Sequence, residues 1–135
     1  VQFFEEQNLD ISITSRIQKN VTFLGLPDRI ARVFINLIEN AISFTGENAQ
    51  VCVIMKKSWR HGIIVTVEDS GPGVPETFRA DIFERFFSAR QGSAMRENSS
   101  GLGLYICKQV VEAHEGVIEV LDGDALGGAS FRVRF

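Results

Sequence analysis

The sequence predicts an α/β domain in which helices stack on one face of a sheet made largely of antiparallel hairpins. Three observations lead there. The stretch "LPDRIARVFINLIENAISFT" repeats apolar residues at helical spacing. Two later stretches, "QVCVIMKKSWRHGIIVTVED" and "GVIEVLDG" followed by "GASFRVRF", set β-rich runs around polar turns. Between them lie segments rich in glycine, proline or small polar residues, which punctuate rather than continue an element. At 135 residues the chain is expected to form a single domain over 1–135 with a real core.

Element by element, "LDISITS" and "NVTFLG" read as two short strands, the first alternating and the second rich in apolar residues. The long helix follows, with Ile30, Val33, Phe34, Leu37, Ile38 and Ala41 on one face and Pro27 in its first turn. The hairpin turns at Arg60, His61 and Gly62. "SGPGVPE" is a loop, and "RADIFERFF" is expected to be a short amphipathic helix. "SARQGSAMRENSS", residues 88–100, has little to bury and reads as a mobile loop. A second helix begins near Gly101 and Gly103 and runs through Leu104, Tyr105, Ile106, Val110 and Val111 before the closing strand pair.

Bulk properties exclude several classes of function. A net charge of −3 gives no field for nucleic acid or an anionic membrane. No apolar run reaches a transmembrane length, and "VQFFEEQN" is not a signal peptide. Cys52 and Cys107 are far apart, without a C-x-x-C or a histidine pair, so both read as reduced, buried small hydrophobes of a cytoplasmic protein. Two phosphate motifs are missing as well: no G-x-x-x-x-G-K-[ST] occurs, and Gly101-Leu102-Gly103 leads to Ile106 where a dinucleotide fingerprint needs a small residue.

Three features remain that carry chemistry. Glycine costs roughly 1 kcal/mol against alanine inside a helix, so two at a helix mouth point to close approach of an anion such as phosphate to unpaired N–H groups. In "NLIEN", Asn36 and Asn40 share a face of an otherwise apolar helix. A buried amide must find partners, either a neighbouring backbone to cap or a hard cation such as Mg²⁺ held together with phosphates. In "VEDSGPG", Asp69 ends an apolar strand beside Gly71 and Gly73. It serves either as a turn residue or as acceptor for an amino group in a pocket.

In this order the motifs resemble the ATP-binding domain of sensor histidine kinases, in the gyrase, Hsp90, histidine kinase and MutL superfamily. "NLIENAISFT" is similar to its N box, "DSGPG" to its G1 box, "FERFF" to its F box and "SGLGL" to its G2 box, across residues 25–135. The resemblance implies a two-layer α/β sandwich of the Bergerat type, with a mixed, mostly antiparallel sheet and helices on one face. It implies that Asp69 accepts from the adenine amino group, that Gly71 and Gly73 shape that pocket, that Phe44 lies on the adenine and that Val74 is a pocket wall. Asn40 matches the Mg²⁺ ligand and Asn36 a polar group near metal and phosphates, while Glu39 is a candidate polarising group. Phe83, Phe86 and Phe87 match the base of an ATP lid. Ser100, Gly101, Leu102, Gly103 and Leu104 match the segment that presents a helix N-terminus to the phosphates. Ser43, Ser88, Ser99, Ala129 and Leu26 depart from the pattern, standing where a basic residue, an arginine, a glycine, a threonine and an aspartate are frequent; Arg90 or Arg96 is the candidate replacement cation.

The resemblance implies ATP and Mg²⁺ as cofactors and transfer of the γ-phosphoryl group to a histidine. Asn36 stands where hydrolysing relatives carry a water-activating glutamate, which favours an already nucleophilic acceptor. Neither His61 nor His114 lies in the family's H-E-x-x-x-P setting, so the acceptor is expected on a separate dimerisation domain, which "VQFFEEQ" would join as the tail of a helix. A response regulator is then expected downstream. The whole protein is expected to be a homodimer and a membrane-anchored bacterial sensor kinase with this part cytoplasmic, and the isolated domain a monomer. The alternatives are a degenerate nucleotide- or partner-binding module and a sigma-factor-binding serine kinase.

Overall fold

Alternating runs of β-branched residues pair into one mixed sheet of five strands, in the order β1-β2-β3-β5-β4. The computed structural model describes residues 11–17, 26–45, 48–58, 62–85, 103–124 and 126–135. Within these, β1 spans Ile11–Ile17, β2 Ala49–Ser58, β3 Gly62–Asp69, β4 Val117–Asp122 and β5 Ala129–Arg134. Only β1 and β2 run parallel, from Ile11 opposite Ala49 to Ile17 opposite Met55. The other pairs are antiparallel, with Val51 opposite Asp69 and Glu68 opposite Ser130. The two expected hairpins are therefore present and lie side by side. The expected strand "NVTFLG", the N-terminal "VQFFEEQ" and the turn at Arg60 and His61 lie outside the described residues.

Helix α1 spans Pro27–Thr45 and helix α2 Gly103–Ala113. Pro27 is the first residue of α1, where its missing N–H is an orphan in any case. Val33, Leu37 and Ala41, spaced four apart, are fully buried, and α1 packs on β2, β3 and α2. Burying a valine or leucine side chain is worth about 1.5–3 kcal/mol, so this stripe fixes the rotation of α1 and hence which face carries its polar residues. The core continues through Val51, Val67, Phe131, Val133, Cys107 and Val111. Both cysteines are free and buried, as expected.

One local outcome differs from the sequence reading. The described part of "RADIFERFF", residues 79–85, does not form an α-helix: two 3-10 turns, Glu76–Phe78 and Asp81–Phe83, stand in this region, and Glu84 is already extended. The segment is too short to repay helix nucleation, and two tight turns suffice to bury Ile82 and Phe83. Phe83 meets Phe131 edge-on at 6.3 Å between ring centres. At the end of α2, in "AHEG", the left-handed residue is not the glycine. Instead Glu115 takes φ +61, its N–H donates to Glu112 O, and the Gly116 N–H donates to Val111 O at 2.9 Å. This is a Schellman cap. Gly116 is needed one residue later, where a Cβ would run into the Arg134 carbonyl.

Candidate functional site

Strand β3 is buried almost along its whole length, and its last residue, Asp69, is only 2% exposed. A carboxylate there must be hydrogen-bonded, and the backbone supplies the donors. The Gly71 N–H donates to Asp69 Oδ1 at 2.9 Å and the Ala129 N–H to the same oxygen at 3.1 Å. Oδ2 receives no hydrogen bond among the described residues. Burial raises the Asp69 pKa above the ordinary carboxylate value; the Ala129 and Gly71 N–H groups pull it back down, and the neighbouring Glu68 raises it. One oxygen is thus fixed by the fold and the other is left to accept a donor.

The glycines beside Asp69 act through space at Gly71 and Gly128 and through a left-handed backbone at Gly73. The Gly128 N–H donates to the Asp69 carbonyl at 3.0 Å, and a Cβ on Gly128 would overlap Asp69 O, Asp69 Oδ1 and the Gly71 nitrogen. Gly73, at φ +81, stands next, with Gly128 the nearest neighbour of a Cβ built on it. Thr45, the last residue of α1, closes the other side: its Oγ1 would sit 3.0 Å from a Cβ on Gly71, and its hydroxyl donates to Ala41 O at 2.8 Å. Val74 is partly buried against the core. Asp69, Gly71 and Gly73 are therefore brought together around Gly128, with Val74 next in the loop. Gly128, Ala129 and Thr45 complete the arrangement; the "GG" before the closing strand was the one sequence signal for Gly128, and it reads equally well as a plain turn.

Farther along α1, Asn36 and Asn40 share a face and are both half-buried, whereas Glu39 points to solvent. The Asn40 Nδ2 is buried without a hydrogen-bond partner among the described residues. An orphaned buried amide normally costs about 1–3 kcal/mol, and turning the amide over presents its oxygen at the same place. That donor set fits a hard cation that brings its own phosphate and water ligands. It does not fit a metal held by protein alone, since no group of three His, Cys, Asp or Glu suited to one occurs among the described residues.

Asn36 hydrogen-bonds the sulfur of Cys107 in α2, a contact that offsets part of the burial pushing this thiol up to about 12. The thiol itself sits 3.6 Å from Val33 O. Gly103, one turn earlier, starts α2, and a Cβ on it would meet nothing within 4 Å. Leu104 beside it packs partly on the core. Helix α1 thus runs from Asn36, against α2, to Thr45, against Asp69. At 1.5 Å per residue that is roughly 13 Å. Ser100, Gly101, Leu102, Arg90, Arg96, Ser88, Ser99, Phe86, Phe87 and the Phe44 side chain lie outside the described residues.

With this geometry in hand, the likenesses to known proteins are informative. Residues 25–135 match the family model described as "Histidine kinase-, DNA gyrase B-, and HSP90-like ATPase". The sensor histidine kinase TmoS of Ectopseudomonas mendocina is 38% identical over 107 residues, which is 79% of this chain and 11% of that protein. The chain therefore spans about a tenth of the length of that relative. Among solved structures, the mycobacterial sensor histidine kinase MprB superposes with a TM-score of 0.82 at 26% identity, covering 99% of this chain and 87% of that one. Histidine kinase ThkA in complex with response regulator protein TrrA gives 0.79 at 28% identity, covering 99% and 37%. The two-layer α/β sandwich, with a mixed sheet and its helices on one face, is the Bergerat fold of these catalytic domains.

Proposed function

The chain belongs to the family of histidine kinase-, DNA gyrase B- and HSP90-like ATPases, and from that premise we propose that it binds Mg-ATP and donates the γ-phosphoryl group to a histidine on a separate dimerisation domain of the same kinase. The observation that carries this reading is Asp69, with Oδ1 taken by two backbone N–H groups and Oδ2 left to accept from the adenine amino group. Asn36 and Asn40 stand along α1 toward α2, on the scale of a nucleoside triphosphate laid beside that helix. When bound, Mg²⁺ supplies charge neutralisation at the phosphates; Asn40 is the residue to hold it.

In the transfer, the imidazole nitrogen of the acceptor attacks the γ-phosphorus, the new P–N bond forms as the bond to the β-phosphate oxygen breaks, and ADP leaves. Such a step needs positioning and charge neutralisation more than covalent help from the protein. Asn36 has no basic group with which to activate water, so hydrolysis is a poor competitor. Glu39 is exposed and polarises the acceptor only once the partner domain covers it. By the family resemblance, Ser100, Gly101, Leu102, Gly103, Leu104 and Arg90 are the residues assigned to the phosphates in this reading, and Phe44 to the base.

The response-regulator complex of ThkA supports a response regulator as the next acceptor. No helix among the described residues is long and apolar enough to cross a membrane; in this reading the chain is the cytoplasmic part of a membrane-anchored sensor kinase. The test is radiolabelling. With γ-labelled ATP the chain alone should bind nucleotide, hydrolyse it slowly and stay unlabelled. With its own histidine-bearing helical domain, acid-labile, alkali-stable phosphate should appear on that domain. Rapid hydrolysis by the chain alone would make it an ATPase, acid-stable phosphate on an added protein a serine kinase, and ATP binding without labelling of the cognate domain a degenerate module.

A further inference from the structure

The segment between the two 3-10 turns holds a side chain that neither the motifs nor the phosphoryl transfer above account for. Arg79 follows Glu76–Phe78, and its guanidinium reaches in two directions. Its Nε donates to the Val74 carbonyl at 3.2 Å, and a terminal nitrogen pairs with Asp122 Oδ1 at 2.6 Å. Arg79 is 21% exposed and Asp122 85% exposed. An ion pair so open to water adds little to stability, so its use lies in what it aligns.

Both ends of this bridge lead to Asp69. Val74 closes the loop that begins at Asp69 and carries Gly71 and Gly73. Asp122 ends β4, and the next residue, Gly123, donates its N–H to Gly128 O at 2.7 Å, while the Gly128 N–H donates to Asp69 O. Loop and hairpin are thus closed into one ring around the aspartate: Asp69, Gly71, Val74, Arg79, Asp122, Gly128. Without Arg79 the ring is open on its outer side, and the Val74 end of the loop loses its hydrogen-bonded link to β4.

We propose that Arg79 is a positioning residue for the base-binding end of the site, fixing the Val74 carbonyl and the β4–β5 hairpin in one frame so that Asp69 and the pocket wall keep their spacing. This rests on the ATP-binding reading above and adds a determinant of base selectivity to it. Arginine suits the task because its Nε and terminal nitrogens are separate donors in one rigid plane. A lysine reaching Asp122 has no donor left at the Nε position.

The experiment measures affinities of the whole chain for ATP, ADP and GTP by calorimetry, with Arg79→Gln, Arg79→Lys, Asp122→Asn and the Arg79→Gln/Asp122→Asn double variant. Arg79→Gln should lose about tenfold in ATP affinity, the scale of one charge-assisted hydrogen bond, with ADP weakened equally and GTP less. Arg79→Lys should recover part of the loss. Asp122→Asn, at a surface position that the fold tolerates, should show a smaller loss in the same direction, non-additive with Arg79→Gln. Unchanged ATP and GTP affinities in Arg79→Gln overturn the inference and leave the Asp69 reading intact. A loss larger for ATP than for ADP also overturns it, placing the effect at the phosphates. A wild-type chain that binds no ATP overturns both.

Discussion

The two ends of the site are built on opposite principles. At the Asp69 end the hydrogen-bond donors are backbone: Gly71 and Ala129 donate to one carboxylate oxygen, and Gly128 donates to the carbonyl. At the α1–α2 end the groups are side chains, and one of them, the Asn40 amide nitrogen, is buried with no partner among the described residues. A Cβ on Gly128 would strike three atoms of the first end, whereas a Cβ on Gly103 at the second would strike none. The first end is finished before any ligand arrives. The second is left open: Asn36 already bonds Cys107, but the Asn40 nitrogen gains a partner only from what binds. Preorganisation of this sort gives selectivity without a further ordering cost, which suits recognition of a base; an open end suits a charged group that comes with its own metal and water.

The sharpest way to break this contrast is Gly128→Ala. The added methyl forces Asp69 and Gly71 apart, and overpacking of this kind costs about 3 kcal/mol. Thermal unfolding should fall accordingly, and ATP affinity should drop by more than tenfold, the order of one hydrogen bond to a charged group. A variant with wild-type melting and binding would show that the hairpin has room to shift.

Asp69→Asn should act on binding rather than on fold. The amide oxygen still accepts from Gly71 and Ala129, but an NH₂ replaces the oxygen that faces the ligand. ATP affinity should fall about tenfold, and the preference for ATP over GTP should vanish, as loss of a charge-assisted bond of about 1.5–3 kcal/mol implies. The pH dependence carries a sign. Burial raises the folded-state pKa of Asp69, so the stability contributed by its protonated form is complete below the unfolded value of about 3.9 and is lost as pH rises through the folded value. Asp69→Asn should therefore gain on the wild type in chemical denaturation as pH rises. ATP affinity of the wild type should run the other way, weakening as pH falls through the same raised pKa.

At the open end, Asn40→Ala removes an amide whose buried nitrogen has no partner among the described residues. Stability without nucleotide should stay within about 1 kcal/mol of wild type, while the gain in nucleotide affinity conferred by Mg²⁺ should shrink about fivefold, the equivalent of one contact of ~1 kcal/mol. Calorimetry with and without Mg²⁺ reads this directly. The smallest effect belongs to Gly103→Ala, the counterpart of the Gly128 change. It should stabilise the empty chain by about 0.5–1 kcal/mol through helix propensity, and weaken ATP while leaving adenosine affinity unchanged. Destabilisation by this substitution would mean that the mouth of α2 is as tightly packed as the Asp69 end.

Much of this was legible from local pattern. The apolar series in Pro27–Thr45 has one period and one solution, and the hairpins follow from β-rich runs around polar turns. The chemistry-bearing side chains Asp69, Asn36 and Asn40 stood out because each is a polar residue in an apolar element. What surrounds them did not. Ala129 lies sixty residues from Asp69 and has no polar side chain to mark it. Every residue but proline carries the N–H that it contributes, so composition gives no sign of which one will be used. The exclusion of any side chain at Gly128 was decided in the same way, by strands meeting in register. Helical period and turn chemistry act over a few residues and are written into the sequence. The approach of Gly128 to Asp69 depends on β3 and β5 pairing Glu68 with Ser130, and only the assembled sheet fixes that distance.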